Sequence, residues 1–305
     1  MINGPLKAIG RTCYYLDRLY EIIWGKTPAE IPDSELDKTG RLMGTPEPLH
    51  VSYHDDDLAF VHYPGRLAHS SWRSQELNLF RQHRDLLRRP RADFGCGDGS
   101  FSRALLEVVD IGIDYDLLAL RVARGYGIYS RLICCNGAAI PLRESSVWSI
   151  YSNSVLEHVD GIERVMRELH RILAPGGLLA FTVPVSAFAQ HIARYYGQAA
   201  SDRLNRRFFH RNLHPGEWWE SLLAKCGFEV VELKHYQPDW FTFYYVFFST
   251  RVFSLFQRTG IAARTLHRKA AKMVAQSASQ PSEGGNIFVV ARKKTGQACG
   301  SLEPK

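Results

Sequence analysis

Cysteine is scarce in this 305-residue chain, with six in all, at 13, 96, 134, 135, 226 and 299, and no two stand at Cys-x-x-Cys spacing. That excludes a disulfide framework and a thiolate zinc knuckle, and leaves buried packing thiols in a reducing compartment. The opening segment, MINGPLKAIGRTCYYLDRLYEIIWG, lacks an uninterrupted apolar core and a small-residue cleavage site. A secretory leader is therefore not expected, and the expected location is cytoplasmic. No apolar run reaches the roughly 20 residues that a bilayer-spanning helix needs. No internal repeat is found. Acids are missing from 251–272, where six basic residues stand (Arg251, Arg258, Arg264, Arg268, Lys269 and Lys272); without those six the formal charge of +7 falls to +1. The basicity is thus local. A diffuse positive surface would point to nucleic acid; this chain has none. Hydrophobic residues make up 45% of the sequence, enough for a large core.

Against these absences stands RADFGCGDGSF, residues 91–101. An apolar approach ends in Gly95, Gly97 and Gly99, and an amphipathic segment follows, giving the order strand, glycine turn, helix. Glycines have no Cβ, so the backbone can turn sharply and lie against a ligand. The amides of the helix start face the same spot. A second apolar run, Val109 to Asp114, ends in a carboxylate 19 residues after Gly95, the spacing at which an acid holds ribose hydroxyls. A nucleotide-like cofactor accounts for both features.

Four segments give the chain a specific resemblance. They are DFGCGDGSF (93–101), GIDYD (112–116), CNGAAIPLRESSVWSIYSNSVLEHV (135–159) and RELHRILAPGGLLAFTVP (167–184). In order and spacing they resemble the class I S-adenosylmethionine-dependent methyltransferases, the small-molecule branch that includes quinone-biosynthesis enzymes. The resemblance implies S-adenosyl-L-methionine as cofactor. Asp93 would orient the glycine loop, and Gly95, Cys96, Gly97 and Gly99 would pass the methionine end. Asp114, with Tyr115 beside it, would hold the ribose. Asn136, Gly137 and Ala138 would frame the adenine, and Ser154 and Leu156 would line the methyl-transfer side. The family usually carries an acid where Asn136 stands; an Asn oxygen accepts the same hydrogen bond without charge.

Strands and helices alternate along the chain: helix 70–89, strand 90–94, helix 100–108, strand 109–114, helix 116–125, strands 131–135 and 147–152, helix 160–173, strand 178–183, helix 216–226, and two last strands from Phe228 and Asn286. This predicts an α/β fold with a doubly wound, mostly parallel sheet. The resemblance implies a Rossmann-like sheet of seven strands with an antiparallel last strand, and a site beyond the carboxyl ends of the strands. The methyltransferase domain is placed at 66–298, between an N-terminal extension (1–65) and a tail (299–305). The extension carries Leu16, Leu19, Ile22 and Ile23 on one helical face and reads either as an active-site cover or as padding. Two insertions interrupt the domain. One, 185–215, reads as a substrate cover. The other, 238–282, holds nine aromatic residues within 240–256, with Phe241, Tyr245, Phe248, Val252 and Leu255 at helical spacing. An aromatic face beside Lys and Arg suits an anionic membrane surface or a greasy substrate tunnel through 240–272; a helix packed on the fold or on a second copy is a second reading, and RNA binding a third.

Candidate general bases are few. His158 follows the fourth strand; its other reading is to orient the neighbouring loop. His210 and His214 lie in the cover insertion, with His191 upstream. Transfer by proximity alone needs no base. The stretch after the fourth strand, Ser152-Asn153-Ser154-Val155, lacks the Asn/Asp-Pro-Pro-aromatic tetrad seen in enzymes that methylate nucleobase amines, and no cysteine nucleophile stands there, so nucleic acid is not expected as acceptor. The run holding His50, His54, Asp55, Asp56, Asp57 and His62 reads as a solvated loop rather than a metal site. The expected activity is methyl transfer to a small-molecule or lipid-linked acceptor, at oxygen in preference to nitrogen or carbon. Two rivals are a non-catalytic cofactor-binding scaffold and a nicotinamide dehydrogenase.

Overall fold

The computed structural model describes residues 7–8, 11–12, 67–249 and 283–295. Seven strands form one sheet in the order β3-β2-β1-β4-β5-β7-β6. They are β1 (Arg91–Phe94), β2 (Val109–Asp114), β3 (Tyr129–Cys134), β4 (Val147–Asn153), β5 (Leu173–Pro184), β6 (Phe228–Tyr236) and β7 (Asn286–Lys293). The first five run parallel, and β7 lies antiparallel between β5 and β6. The strand order reverses at β1, which pairs with β2 on one side (Phe94 opposite Ile113) and with β4 on the other (Asp93 opposite Tyr151). A switch of this kind opens a crevice beyond the carboxyl ends of the strands.

Local sequence explains the elements. The helices are α1 (Leu67–Gln82), α2 (Ser100–Leu105), α3 (Leu117–Gly125), α4 (Ile162–Ile172), α5 (Ser186–Tyr196), α6 (Gln198–Arg207), α7 (Gly216–Lys225) and α8 (Asp239–Phe248). Helix α3 starts at Asp116, whose carboxylate accepts from the amides of Leu118 (2.8 Å) and Ala119 (3.2 Å), an N-cap worth about 1 kcal/mol. Helix α4 buries Ile162, Val165, Met166, Leu169 and Ile172 along one stripe. Strand β7, flanked on both sides, is an apolar run with Ile287 to Ala291 fully buried.

Several boundaries differ from the sequence reading: the helix read at 70–89 is Leu67–Gln82, the one read at 100–108 ends at Leu105, and two differences fall in the sheet. Helix α4 stops at Ile172, and β5 begins at Leu173 rather than 178, because Pro175-Gly176-Gly177 is absorbed into the strand as an irregularity. Gly176 takes a left-handed φ of 74°, and a Cβ on Gly177 would lie 2.8 Å from the carbonyl oxygens of Ala174 and Trp148. Strand β6 runs on to Tyr236: polar Lys234 and His235 look like a strand end, yet they keep pairing with β7 at the sheet edge.

Two compact units emerge. The sheet unit comprises 79–186, 209–236 and 286–295. The second unit gathers 67–78, 187–208, 237–249 and 283–285 around an aromatic core of Trp72, Phe188, Tyr195, Tyr196, Phe241, Tyr245 and Phe248. Trp72 meets Phe188 edge-on (centroids 5.4 Å apart) and Tyr245 at 4.6 Å. Its indole donates to buried Glu76 (2.7 Å), which Arg73 also pairs (2.6 Å). Helix α8 buries Phe241, Tyr245 and Phe248 on one face and leaves Trp240, Phe243, Tyr244 and Phe247 half-buried. His191 is buried in this unit, 3.4 Å from the Thr242 hydroxyl. Val252, Leu255, the basic run 251–272, the helical face at 16–23 and the His50–His62 run lie outside the described residues.

Candidate active site

The glycine loop leaves β1 through two amides, Gly95 and Cys96, that donate to the Ile113 carbonyl (2.8 and 3.0 Å). Its three glycines have left-handed φ values of 74°, 52° and 79°. They differ in what surrounds them. A Cβ on Gly95 would lie 2.4 Å from a Val155 methyl, and one on Gly99 would lie 2.9 Å from the Tyr129 ring. A Cβ on Gly97 would meet nothing within 4 Å. Gly95 and Gly99 are thus required by protein packing, whereas Gly97 borders open space that a ligand backbone can fill. The amide of Ser100, at the start of α2, is taken by the Asp98 carboxylate (2.9 Å), a contact the glycine spacing alone does not reveal.

Asp114 holds the loop to the end of β2. One carboxylate oxygen accepts from the Gly97 amide (2.7 Å) and the other from the Asp116 amide (2.9 Å). Each oxygen keeps a lone pair, so two ribose hydroxyls fit without breaking either bond. Tyr115, next in the chain, is 84% exposed. The Cys135 amide donates to the Asp114 carbonyl (3.0 Å), which brings the turn 136–138 to the same strand ends. There the Asn136 side-chain oxygen accepts from the Ala138 amide (2.8 Å), and a Cβ on Gly137 would strike the Phe94 ring at 2.6 Å. Asn136 therefore shapes its own turn with one lone pair and keeps the second for an amino donor. Cys96 is buried and its thiol is pushed up by burial and by the carboxylates around it, so it packs as a neutral group.

Asp93 braces the loop indirectly. Its buried carboxylate accepts from the hydroxyls of Ser102 (2.5 Å) and Tyr129 (2.7 Å), while Tyr151 reaches Ser102 at 2.6 Å. Tyr129 is the ring against Gly99, so the carboxylate fixes one wall of the loop. Burial raises Asp93 from the ordinary 3.8 to about 6. The native state thus holds a proton that the unfolded chain has released, and stability from this group is present below pH 3.8 and lost as pH rises through 6. The loss is about 3 kcal/mol at 1.36 kcal/mol per unit. Asp93→Asn carries no such charge. Its thermal midpoint relative to wild type is expected to rise from pH 4 to pH 7; parallel curves would refute the assignment.

Beyond β4, Ser154 takes a left-handed φ of 51° and its amide is held by Thr182 (3.1 Å). Leu156 is fully buried. A second segment, 209–214, clamps the turn 156–159. Arg211 and Asn212 amides donate to the Glu157 carbonyl (2.8 and 3.0 Å), and the Asn212 side chain donates to the carbonyls of Leu156 (2.8 Å) and Val159 (2.7 Å). This brings His158 and His210 together, with ring centroids 5.4 Å apart. Burial first, then His158, lowers His210 to about 4. His214 is not part of this pair; it stacks on Trp218 at 3.8 Å. Glu157 and Asn212 were missed in the sequence, since an acid and an amide in loops carry no spacing signal.

A Gly97 bordering open space and an Asp114 with spare lone pairs fit an S-adenosylmethionine ribose and methionine tail. Residues 92–181 match the methyltransferase domain family. A malonyl-[acyl-carrier protein] O-methyltransferase of Pseudescherichia vulneris is 31% identical over 181 residues, 55% of this chain and 70% of that protein. An uncharacterized methyltransferase of Mycobacterium sp. (strain KMS) is 28% identical over 48% of this chain, and the match spans 66% of its own length. The fold is similar to that of a SAM-dependent methyltransferase from Thermotoga maritima, at TM-score 0.51 and 20% identity, covering 79% of this chain and all of the other. With S-adenosylmethionine as its cofactor, the chain belongs to the class I S-adenosylmethionine-dependent methyltransferases.

Proposed function

We propose that this enzyme methylates an oxygen of a small-molecule or lipid-linked acceptor. The observation that carries the reading is the imidazole pair His158–His210 just past the end of β4, where the His158 amide donates to the carbonyl of Val155, the residue against Gly95. The cofactor supplies a sulfonium-activated methyl group, so the chain's own task is to align a nucleophile with the methyl–sulfur bond. A neutral hydroxyl also needs its proton taken, and an imidazole suits that role. The relative named malonyl-[acyl-carrier protein] O-methyltransferase supports oxygen as the acceptor atom. The stretch 152–155 lacks the tetrad of nucleobase-amine methylation, which argues against nucleic acid. A lipid-linked acceptor, met at the cytoplasmic face of a membrane, is supported by the half-buried face Trp240, Phe243, Tyr244 and Phe247 and by the six basic residues within 251–272.

The test is S-adenosylhomocysteine release across a panel of hydroxylated aromatics, hydroxylated isoprenoids and acyl carboxylates, with and without anionic vesicles. Turnover on an oxygen acceptor is expected, and vesicles should raise it for the lipid-linked ones. Cofactor binding without turnover on any of them would favour the non-catalytic scaffold.

A further inference from the structure

We propose that Glu157, His158 and His210 form the seat of one divalent transition-series cation. Three side chains from two loops bring a carboxylate oxygen and two imidazole nitrogens within 4.8 Å of one another. Tetrahedral zinc with ligands at about 2.0–2.2 Å needs ligand atoms about 3.4 Å apart. The His158 Nε2 to Glu157 Oε1 distance is already 3.6 Å. The other two separations are at most 4.8 Å, so closing them to about 3.4 Å takes at most about 1.4 Å.

The surroundings suit a metal seat. His158 Nδ1 lies 3.3 Å from the Phe209 carbonyl oxygen, which can only accept, so a neutral ring that donates there carries its lone pair on Nε2, the atom 3.6 Å from Glu157 Oε1. A ligand histidine held through its other nitrogen by a carbonyl is the usual outer-shell arrangement of metal sites. The ligand loops are fixed independently of the three ligand side chains: two backbone amides, of Arg211 and Asn212, and the Asn212 side chain donate the four hydrogen bonds that hold 209–212 against 156–159. Glu157 is 2% exposed whereas the His158 side chain is 42% exposed, so the seat is closed behind and open in front. The open side leaves coordination positions for an incoming ligand. Two imidazoles and one carboxylate favour zinc, manganese or iron(II) over magnesium or calcium, which prefer all-oxygen sets.

The role of the cation rests on the oxygen-acceptor reading above. It would bind the acceptor oxygen, lower the pKa of its hydroxyl so that the proton passes to solvent, and hold the oxygen beside the methyl donor, standing in for an imidazole base because a His158 that ligates through Nε2 and donates from Nδ1 has no lone pair left to take the proton. An acceptor with two neighbouring oxygens, such as a vicinal diol or a hydroxy-carboxylate, would chelate best.

The test uses the metal-free full chain, titrated with Zn2+ by calorimetry and with Mn2+ by paramagnetic resonance. One equivalent of saturable binding is expected. Glu157→Gln and His210→Asn should each weaken it at least tenfold, and His214→Asn should leave it unchanged. S-adenosylmethionine affinity, measured on the same samples, reports that each variant is folded. Binding that is absent, or that survives both substitutions, overturns the seat. If wild type binds the cofactor but no metal, the seat alone fails; if wild type does not bind the cofactor, the methyl-transfer reading fails with it.

Discussion

Asp114→Asn is expected to weaken S-adenosylmethionine binding about 100-fold or more while leaving the sheet intact. Both carboxylate oxygens of Asp114 already accept backbone amides, from Gly97 and from Asp116. An asparagine must turn its NH2 toward one of those two donors, so one amide loses its partner and faces another donor. The same turn replaces an acceptor for one ribose hydroxyl. Hydrogen bonds to a charged group contribute about 1.5–3 kcal/mol each, and 100-fold corresponds to about 2.7 kcal/mol, so losing one such bond and weakening another is sufficient. Titration calorimetry reads the effect. An affinity within threefold of wild type would mean that the ribose lies elsewhere and that Asp114 serves only to tie the loop to β2.

Much of the sheet unit was legible because its signals are local. Val109–Asp114 and Asn286–Lys293 are apolar runs bounded by turns, and the glycine loop sits between a strand and a helix as its spacing requires. The seven strands and the antiparallel β7 came through the resemblance, which carries topology that periodicity cannot; the strand order was not read from the sequence. What was not legible depends on contacts between distant segments. Residues 209–214 are separated by about fifty positions from the turn they clamp, and nothing in their composition announces it. The split of the insertion at 208, with 187–208 in the aromatic unit and 209–215 in the sheet unit, is of the same kind. Asp93 was read as orienting the loop, yet its partners are hydroxyls on α2 and at the start of β3. Asp116, to which no role was given, caps α3. A side chain that acts on its own helix and one that reaches a ligand look alike in sequence; hydrogen-bond partners separate them.

The glycine loop yields a pair of substitutions whose outcomes should diverge. Gly95→Ala and Gly97→Ala each place a side chain on a left-handed residue, at about 1–2 kcal/mol. At Gly95 the new methyl also drives into Val155, 2.4 Å away, and forcing that side chain aside adds about 1–3 kcal/mol. Gly95→Ala should therefore lower the thermal midpoint by roughly 4–20 °C, at about 2–4 °C per kcal/mol for a domain of this size. At Gly97 nothing stands within 4 Å, so the midpoint should fall by only a few degrees. Yet that empty volume is the path proposed for the methionine tail, and a methyl there should cut S-adenosylmethionine affinity at least 100-fold. Differential scanning fluorimetry with and without cofactor reads both quantities on one sample. The expected pattern is a destabilised Gly95→Ala and a near-stable Gly97→Ala that no longer gains stability from added cofactor. A Gly97→Ala variant still stabilised by the cofactor to the wild-type extent would show that the open side of the loop is not the ligand's path, and with it the geometry assigned to the whole site would be lost.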